Sequence, residues 1–197
     1  MTASIRIALV ALIVAAGCAK QRPTHYYLLE AAVPAADSRS GDGLAVGVRP
    51  TVVEPPYDEA GIVYRIGEGS REVGFYAYHE WAAPLSRMLP RLIADTLAGT
   101  AGIASIHPAA AGRTYDARLD SRLVALEEID VGDEQRVRLR MGLRLVAGDE
   151  VIWRRAVESE GTVRTDRVEA VVALMNDVLV AAIRDLRPGL EEALAGR

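Results

Sequence analysis

Cysteine is almost absent: Cys18 is the only one in 197 residues. A single thiol cannot build a disulfide framework, and it cannot supply the paired cysteines of most structural zinc sites. Histidine is nearly as scarce. His25, His79 and His107 are the whole supply, and none is spaced from a Cys, Asp or Glu as a metal motif requires. There is no nucleophile elbow, no phosphate-cradling glycine loop and no dinucleotide fingerprint. The nearest glycine-rich run, Gly67-Glu68-Gly69-Ser70, sits between two strand-like segments and carries an acid, so it reads as a turn. Glu127-Glu128 reads as a solvated strand end rather than an acid/base couple. These absences predict a non-enzymatic chain with no catalytic residue, no metal site and no cofactor. A basic excess is missing too: the formal net charge is −4, which argues against nucleic acid as a partner.

Long apolar runs are equally few. The unbroken stretch Ile7–Ala16 is about half the ~20 residues a bilayer-spanning helix needs. It follows the basic Arg6, shows no polar position at helical spacing, and ends in Ala15-Ala16-Gly17 directly before Cys18. That is the layout of a secretory signal peptide. Small residues admit a peptidase, and the thiol behind them is the nucleophile for thioether lipidation. Lipoprotein cleavage boxes favour Leu where Ala15 stands. The reading is a signal peptide over 1–17 and lipidation at Cys18, with two or more acyl chains giving stable anchoring. Residues 18–43 would hold the lipidated N-terminus, a first short strand and a flexible loop. Residues 44–197 would form the remainder of a single periplasmic α+β domain, which also includes the 26–29 strand. About 180 residues remain after cleavage, enough for one well-buried domain.

Along that domain, Leu44–Val48 is nearly all apolar and fits a strand buried on both faces. Ile62–Ile66 and Val73–Tyr78 form a predicted hairpin across the Gly67–Ser70 turn. A first helix carries Trp81, Leu85, Met88, Leu89, Leu92, Ile93, Thr96 and Leu97 on one face, with Pro84 in its first turn and Gly99 at its cap. Pro90 should kink it. Three strands follow, 115–126, 136–146 and 150–157. In the middle one Val137, Leu139, Met141, Leu143 and Leu145 alternate with Arg136, Arg138, Arg140 and Arg144, so this is an antiparallel meander with one wet face. The last helix begins at a capping box, Asp166 with Glu169 three residues on, and is interrupted at Pro188-Gly189. The predicted fold is α+β, a two-layer sandwich in which a mixed, largely antiparallel sheet carries two amphipathic helices on one face.

The arginine face admits two readings. A solvated face needs only opposite charges on neighbouring strands, and Asp116, Asp120, Glu150 and Glu158 can supply them. The sharper reading is a docking surface for a protein partner or anionic lipid headgroups, with Arg138 and Arg140 as candidate contacts. Tyr78 and Trp81 are the candidate aromatic contacts; their alternative role is to anchor the first helix on the sheet.

The segments Val46-Gly47-Val48-Arg49-Pro50, Ile62-Val63-Tyr64-Arg65 and Tyr76 through Leu85, with Trp81-Ala82-Ala83-Pro84-Leu85 at its end, form a recognisable succession. Tyr26-Tyr27-Leu28-Leu29 precedes it near Cys18, and Pro56-Tyr57 lies between its parts. This pattern resembles the ABC-type transport auxiliary lipoproteins, the paraquat-inducible protein C-like family, over nearly the whole mature chain. The resemblance implies an auxiliary role in a lipid-transport system of the MCE type. The implied partners are an MCE-domain protein and inner-membrane transporter components, with the membrane itself engaged through the N-terminal lipid. It also implies docking or stabilising of the trans-envelope complex at the periplasmic face of the outer membrane, with which Ala19 after the cysteine is compatible. A homo-oligomer is a further candidate assembly. The alternatives are an outer-membrane assembly or cell-wall regulatory lipoprotein of similar small α/β fold, and a carrier that holds lipid itself.

Overall fold

The computed structural model describes residues 22–31 and 43–196. Cys18 and nearly all of the predicted flexible loop lie outside the described residues. In chain order the elements are β1 (His25–Tyr27), β2 (Leu44–Val48), β3 (Val52–Val53), β4 (Gly61–Ile66) and β5 (Gly74–Trp81). Then come α1 (Leu85–Leu97), β6 (Ile103–Pro108), β7 (Ala117–Val131), β8 (Glu134–Ala147) and β9 (Glu150–Val163). The chain closes with α2 (Val168–Arg184) and the short α3 (Arg187–Ala195).

β7 organises the sheet. At 15 residues it is about 50 Å long, too long for any one short strand to satisfy its edge. On one side it pairs antiparallel with β8 along its whole length, and β8 pairs antiparallel with β9. On the other side three short strands dock in parallel one after another. Val46 lies opposite Ala117, Val52 opposite Arg122 and Tyr64 opposite Glu128. β6 extends the sheet beyond β2, and β5 and then β1 extend it beyond β4. The architecture is α+β with a mixed sheet, and the two long ladders are antiparallel.

The alternation in β8 places Val137, Leu139, Met141, Leu143 and Leu145 in the core. α1 and α2 cover that face, and they touch each other there. Gly161 of β9 lets α2 close in, since a Cβ at this position would lie 2.8 Å from Val178 and 2.9 Å from Leu174. Where α1 ends, Gly99 adopts a φ of 80°, and Arg187 donates to the carbonyls of Thr96 and Ala98 at 2.5 and 2.7 Å. Those carbonyls have no partner within the helix, so this one guanidinium ties α3 to α1.

Several expectations are corrected. Trp81 ends β5 rather than starting α1, opposite Tyr27 of β1. Pro90 lies inside an uninterrupted α1. A proline at 90 leaves the Ser86 carbonyl without its helical donor, and the backbone N–H of Thr51 fills that place at 3.1 Å. The Asp166–Glu169 capping box is not used: α2 starts after Arg167 with no side-chain cap. The break near the C-terminus falls at Asp185 and Leu186, and Pro188 sits in the first turn of α3, where its missing N–H costs nothing.

Candidate functional site

The wet face of the sheet carries the charged side chains, and a bulge in β7 divides it. Register shifts between Leu123 and Ala125, so Asp120 and Arg122 share this face before the bulge and Ala125 and Glu127 after it. The face therefore has two parts.

In the first part Glu127 is buried at 2% exposure, contrary to the expected solvated strand end. Tyr57, on the connection between β3 and β4, donates its hydroxyl to Glu127 Oε2 at 2.7 Å. Arg65 of β4 donates Nε to the same oxygen at 2.6 Å. Arg138 approaches the other oxygen at 3.9 Å. Burial and the adjacent Glu127 carboxylate push the Tyr57 phenol up to about 12, and Glu127 also holds the Arg65 guanidinium above its usual range. Around this group the charges close into a network. Arg136 pairs with Glu68 at 2.8 Å, Arg138 with Glu160 at 3.0 Å and Arg140 with Glu158 at 3.8 Å. A shallow pocket of about 330 Å³ lies over it. Each arginine has a carboxylate within reach, so this part is a cross-strand-paired surface.

Glu128, one residue on, points to the opposite face. It too is buried, and Tyr76 donates its hydroxyl to Oε2 at 2.5 Å. Burial raises the Glu128 carboxyl above the ordinary carboxylate range, and burial followed by Glu128 raises the Tyr76 phenol. Tyr76 packs on Tyr64 and lies edge-on to His79, whose Nδ1 meets the Tyr27 hydroxyl at 2.7 Å. His79 in turn stacks on His25. This cluster fixes the three-residue β1 onto β5.

The second part of the wet face is a groove of about 800 Å³. Arg49, Arg118 and Arg144 converge on Asp120, at 3.5, 3.8 and 3.0 Å. Arg122 pairs with Glu54. Arg144 and Arg154 lie directly opposite each other across β8 and β9.

Of the sequence-predicted contacts, Trp81 is 5% exposed and belongs to the core, so it anchors β5 and has little surface to offer a partner. Tyr78 is 47% exposed with a φ of 65°, a strained conformation for an L-residue, at a bulge between β4 and β5. Arg138 is held in the paired network, whereas the side chain of Arg140 is more than half exposed. The Tyr57–Arg65–Glu127 group was not foreseen.

A family model described as ABC-type transport auxiliary lipoprotein component matches residues 27–186. The chain belongs to this family. Membership makes it a lipoprotein-type, membrane-anchored component associated with ABC-type transport, and among the described residues no helix is long and apolar enough to cross a membrane. Among solved structures, the family member is similar to protein XCC0632 from Xanthomonas campestris. Identity is 16% over 87% of this chain and 98% of that one, with a TM-score of 0.70. An uncharacterised protein aligns over the same shares at 14% identity and a TM-score of 0.59. These likenesses establish the fold. No curated protein matches the chain.

Proposed function

We propose that this auxiliary lipoprotein serves an MCE-type lipid-transport system, docking or stabilising the trans-envelope complex at the outer membrane without catalysing a reaction itself. The family match over residues 27–186 carries this reading. Chain geometry supports it. A lipid on Cys18 would hold His25, seven residues on, no more than about 25 Å from its attachment point. The domain would then stand at the membrane surface, its wet sheet face free for partners. The partners in this reading are an MCE-domain protein and the inner-membrane transporter. The test is affinity capture of the tagged lipoprotein from crosslinked envelopes, followed by mass spectrometry. An MCE-domain protein and ABC transporter subunits are the expected co-purifying species. Their absence, with the bait efficiently crosslinked to other envelope proteins, refutes the assignment.

A further inference from the structure

We propose that the groove on the wet face between β3, β7, β8 and β9 binds a phospholipid with a net-anionic headgroup, its phosphate held by Arg122, Arg144 and Arg154 and its apolar part resting on Val52 and Val151. This goes beyond the transport role proposed above and does not depend on it.

Charge is the first argument. Among the described residues, four arginines extend into the groove from this face, Arg49, Arg122, Arg144 and Arg154, against Asp120 in the lining and Glu54 beside Arg122, in a chain whose formal net charge is −4. Three arginines share Asp120, and Arg118 Nε is buried without a hydrogen-bond acceptor. Arg144 faces Arg154 across the strands, a like-charge pairing that weakens a sheet unless an anion lies between. Guanidinium forks match phosphate oxygens in pairs. The rest of the arginine face is balanced by Glu68, Glu127, Glu158 and Glu160, so the surplus is local to the groove.

Shape and polarity identify the rest of the ligand. On the rung next to Arg144 and Arg154, Arg122, Gly142 and Ala156 lie in register, so the floor there is a hydrogen atom and a methyl group. Beside this trough Val52 and Val151 are 57% and 39% exposed. Inorganic phosphate alone would leave them in water, whereas a phospholipid covers them. An acidic peptide fits less well. Over the centre of the groove floor β7 and β8 have neighbours on both sides, so an extended peptide lying there finds no free edge to pair with. The volume of about 800 Å³ is within the usual range for small-ligand sites.

Native mass spectrometry of the full chain, released from non-ionic detergent, tests the assignment. Dioleoyl phosphatidylglycerol and dioleoyl phosphatidylcholine are offered separately, and inorganic phosphate is added as competitor. Bound phosphatidylglycerol should exceed phosphatidylcholine. Occupancy should fall about fivefold with Arg154→Glu, whose side chain is exposed, and should also fall with Val52→Asn. Arg136→Glu, on the same face beyond the bulge and outside the groove, should bind as wild type. Equal uptake of the two lipids, unchanged binding by Arg154→Glu, or the same loss with Arg136→Glu overturns the proposal. So does displacement of the lipid by inorganic phosphate as effectively as by phosphatidylglycerol, which marks a simple anion site. Absence of any bound lipid also overturns it, in favour of an acidic protein partner. The isolated chain is the sample, so failure here is distinguishable from failure to capture an MCE protein.

Discussion

Removing Arg65 tests whether the buried Glu127 is held by its ion pair or merely tolerated. In Arg65→Met, Glu127 keeps the Tyr57 hydroxyl but loses its close cation at 2.6 Å, and Arg138 at 3.9 Å is a poor substitute. Breaking a buried pair by removing one partner costs ~3–5 kcal/mol. Arg65 is partly solvated, with a side chain 21% exposed, so about 2–3 kcal/mol is the reasoned value. Tyr57→Phe removes one hydrogen bond to a charged acceptor, worth ~1.5–3 kcal/mol. The two changes leave the same carboxylate under-satisfied, so their costs should not add, and a coupling of about 1 kcal/mol is expected. Arg65→Met with Glu127→Leu removes both charges and should recover most of the loss. Urea unfolding followed by the fluorescence of the buried Trp81 and Trp153 reads these three variants and the Arg65→Met/Tyr57→Phe double. A loss below about 1 kcal/mol for Arg65→Met, or an Arg65→Met/Glu127→Leu protein less stable than Arg65→Met alone, would mean that Glu127 is not held by its cation, because an uncompensated charge cannot be cheap in that site.

Pro90→Ala should change stability by no more than about 1 kcal/mol in the same assay, since the Ser86 carbonyl already has Thr51 as donor; a gain near 3 kcal/mol would mean the proline strains α1. Trp81→Ala should cost ~3–5 kcal/mol, while Tyr78→Gly, at a φ of 65°, should be neutral or stabilise by up to about 1 kcal/mol. The reverse order would contradict the burial that separates the two. Burial raises the folded Glu128 carboxyl above its unfolded value, so the native state binds that proton more tightly. Its stabilising contribution is complete below the ordinary carboxylate pKa and disappears as pH rises through the folded value. Glu128→Gln, whose amide oxygen can still accept from Tyr76, should flatten that fall in a pH series of unfolding curves. An unchanged slope would show that Glu128 titrates as an exposed acid.

The elements that were legible in the sequence are those whose burial has one period. β8 alternates strictly because one face meets helices and the other meets water, and α1 and α2 show their stripes for the same reason. Parallel docking of β2, β3 and β4 on β7 left no local trace, since these pairings join residues tens of positions apart. Glu127-Glu128 was misjudged for a related reason. The bulge at Leu123–Ala125 breaks the period, and beyond it both faces of β7 are covered, by Tyr57 on one and by Tyr76 on the other. A carboxylate looks solvated until its donors are known, and here they come from residues 52 to 70 positions away. Asp166 and Glu169 had capping spacing, but α2 begins where its apolar stripe first reaches the sheet, and that packing outweighs a single cap.

The two faces of the sheet carry separate tasks, and β7 is where they meet. Its helix-side residues close the core, and its wet-side residues Asp120, Arg122 and Glu127 each belong to a charged group on the far side. The bulge puts the balanced network and the surplus of arginine at opposite ends of one strand. A substitution at the balanced end leaves a buried carboxylate without its donors, so it acts on stability. A substitution in the groove removes charges that lack enough acidic partners, so it acts on what the groove binds. The proposed anchor also places a limit on the geometry. With β1 pairing only three residues against β5 and Cys18 seven residues before His25, the tether is about 25 Å at full extension. That is about half the ~50 Å length of β7. A domain held so closely cannot turn freely end over end at the bilayer, so the anchor restricts which parts of its wet face can meet the membrane.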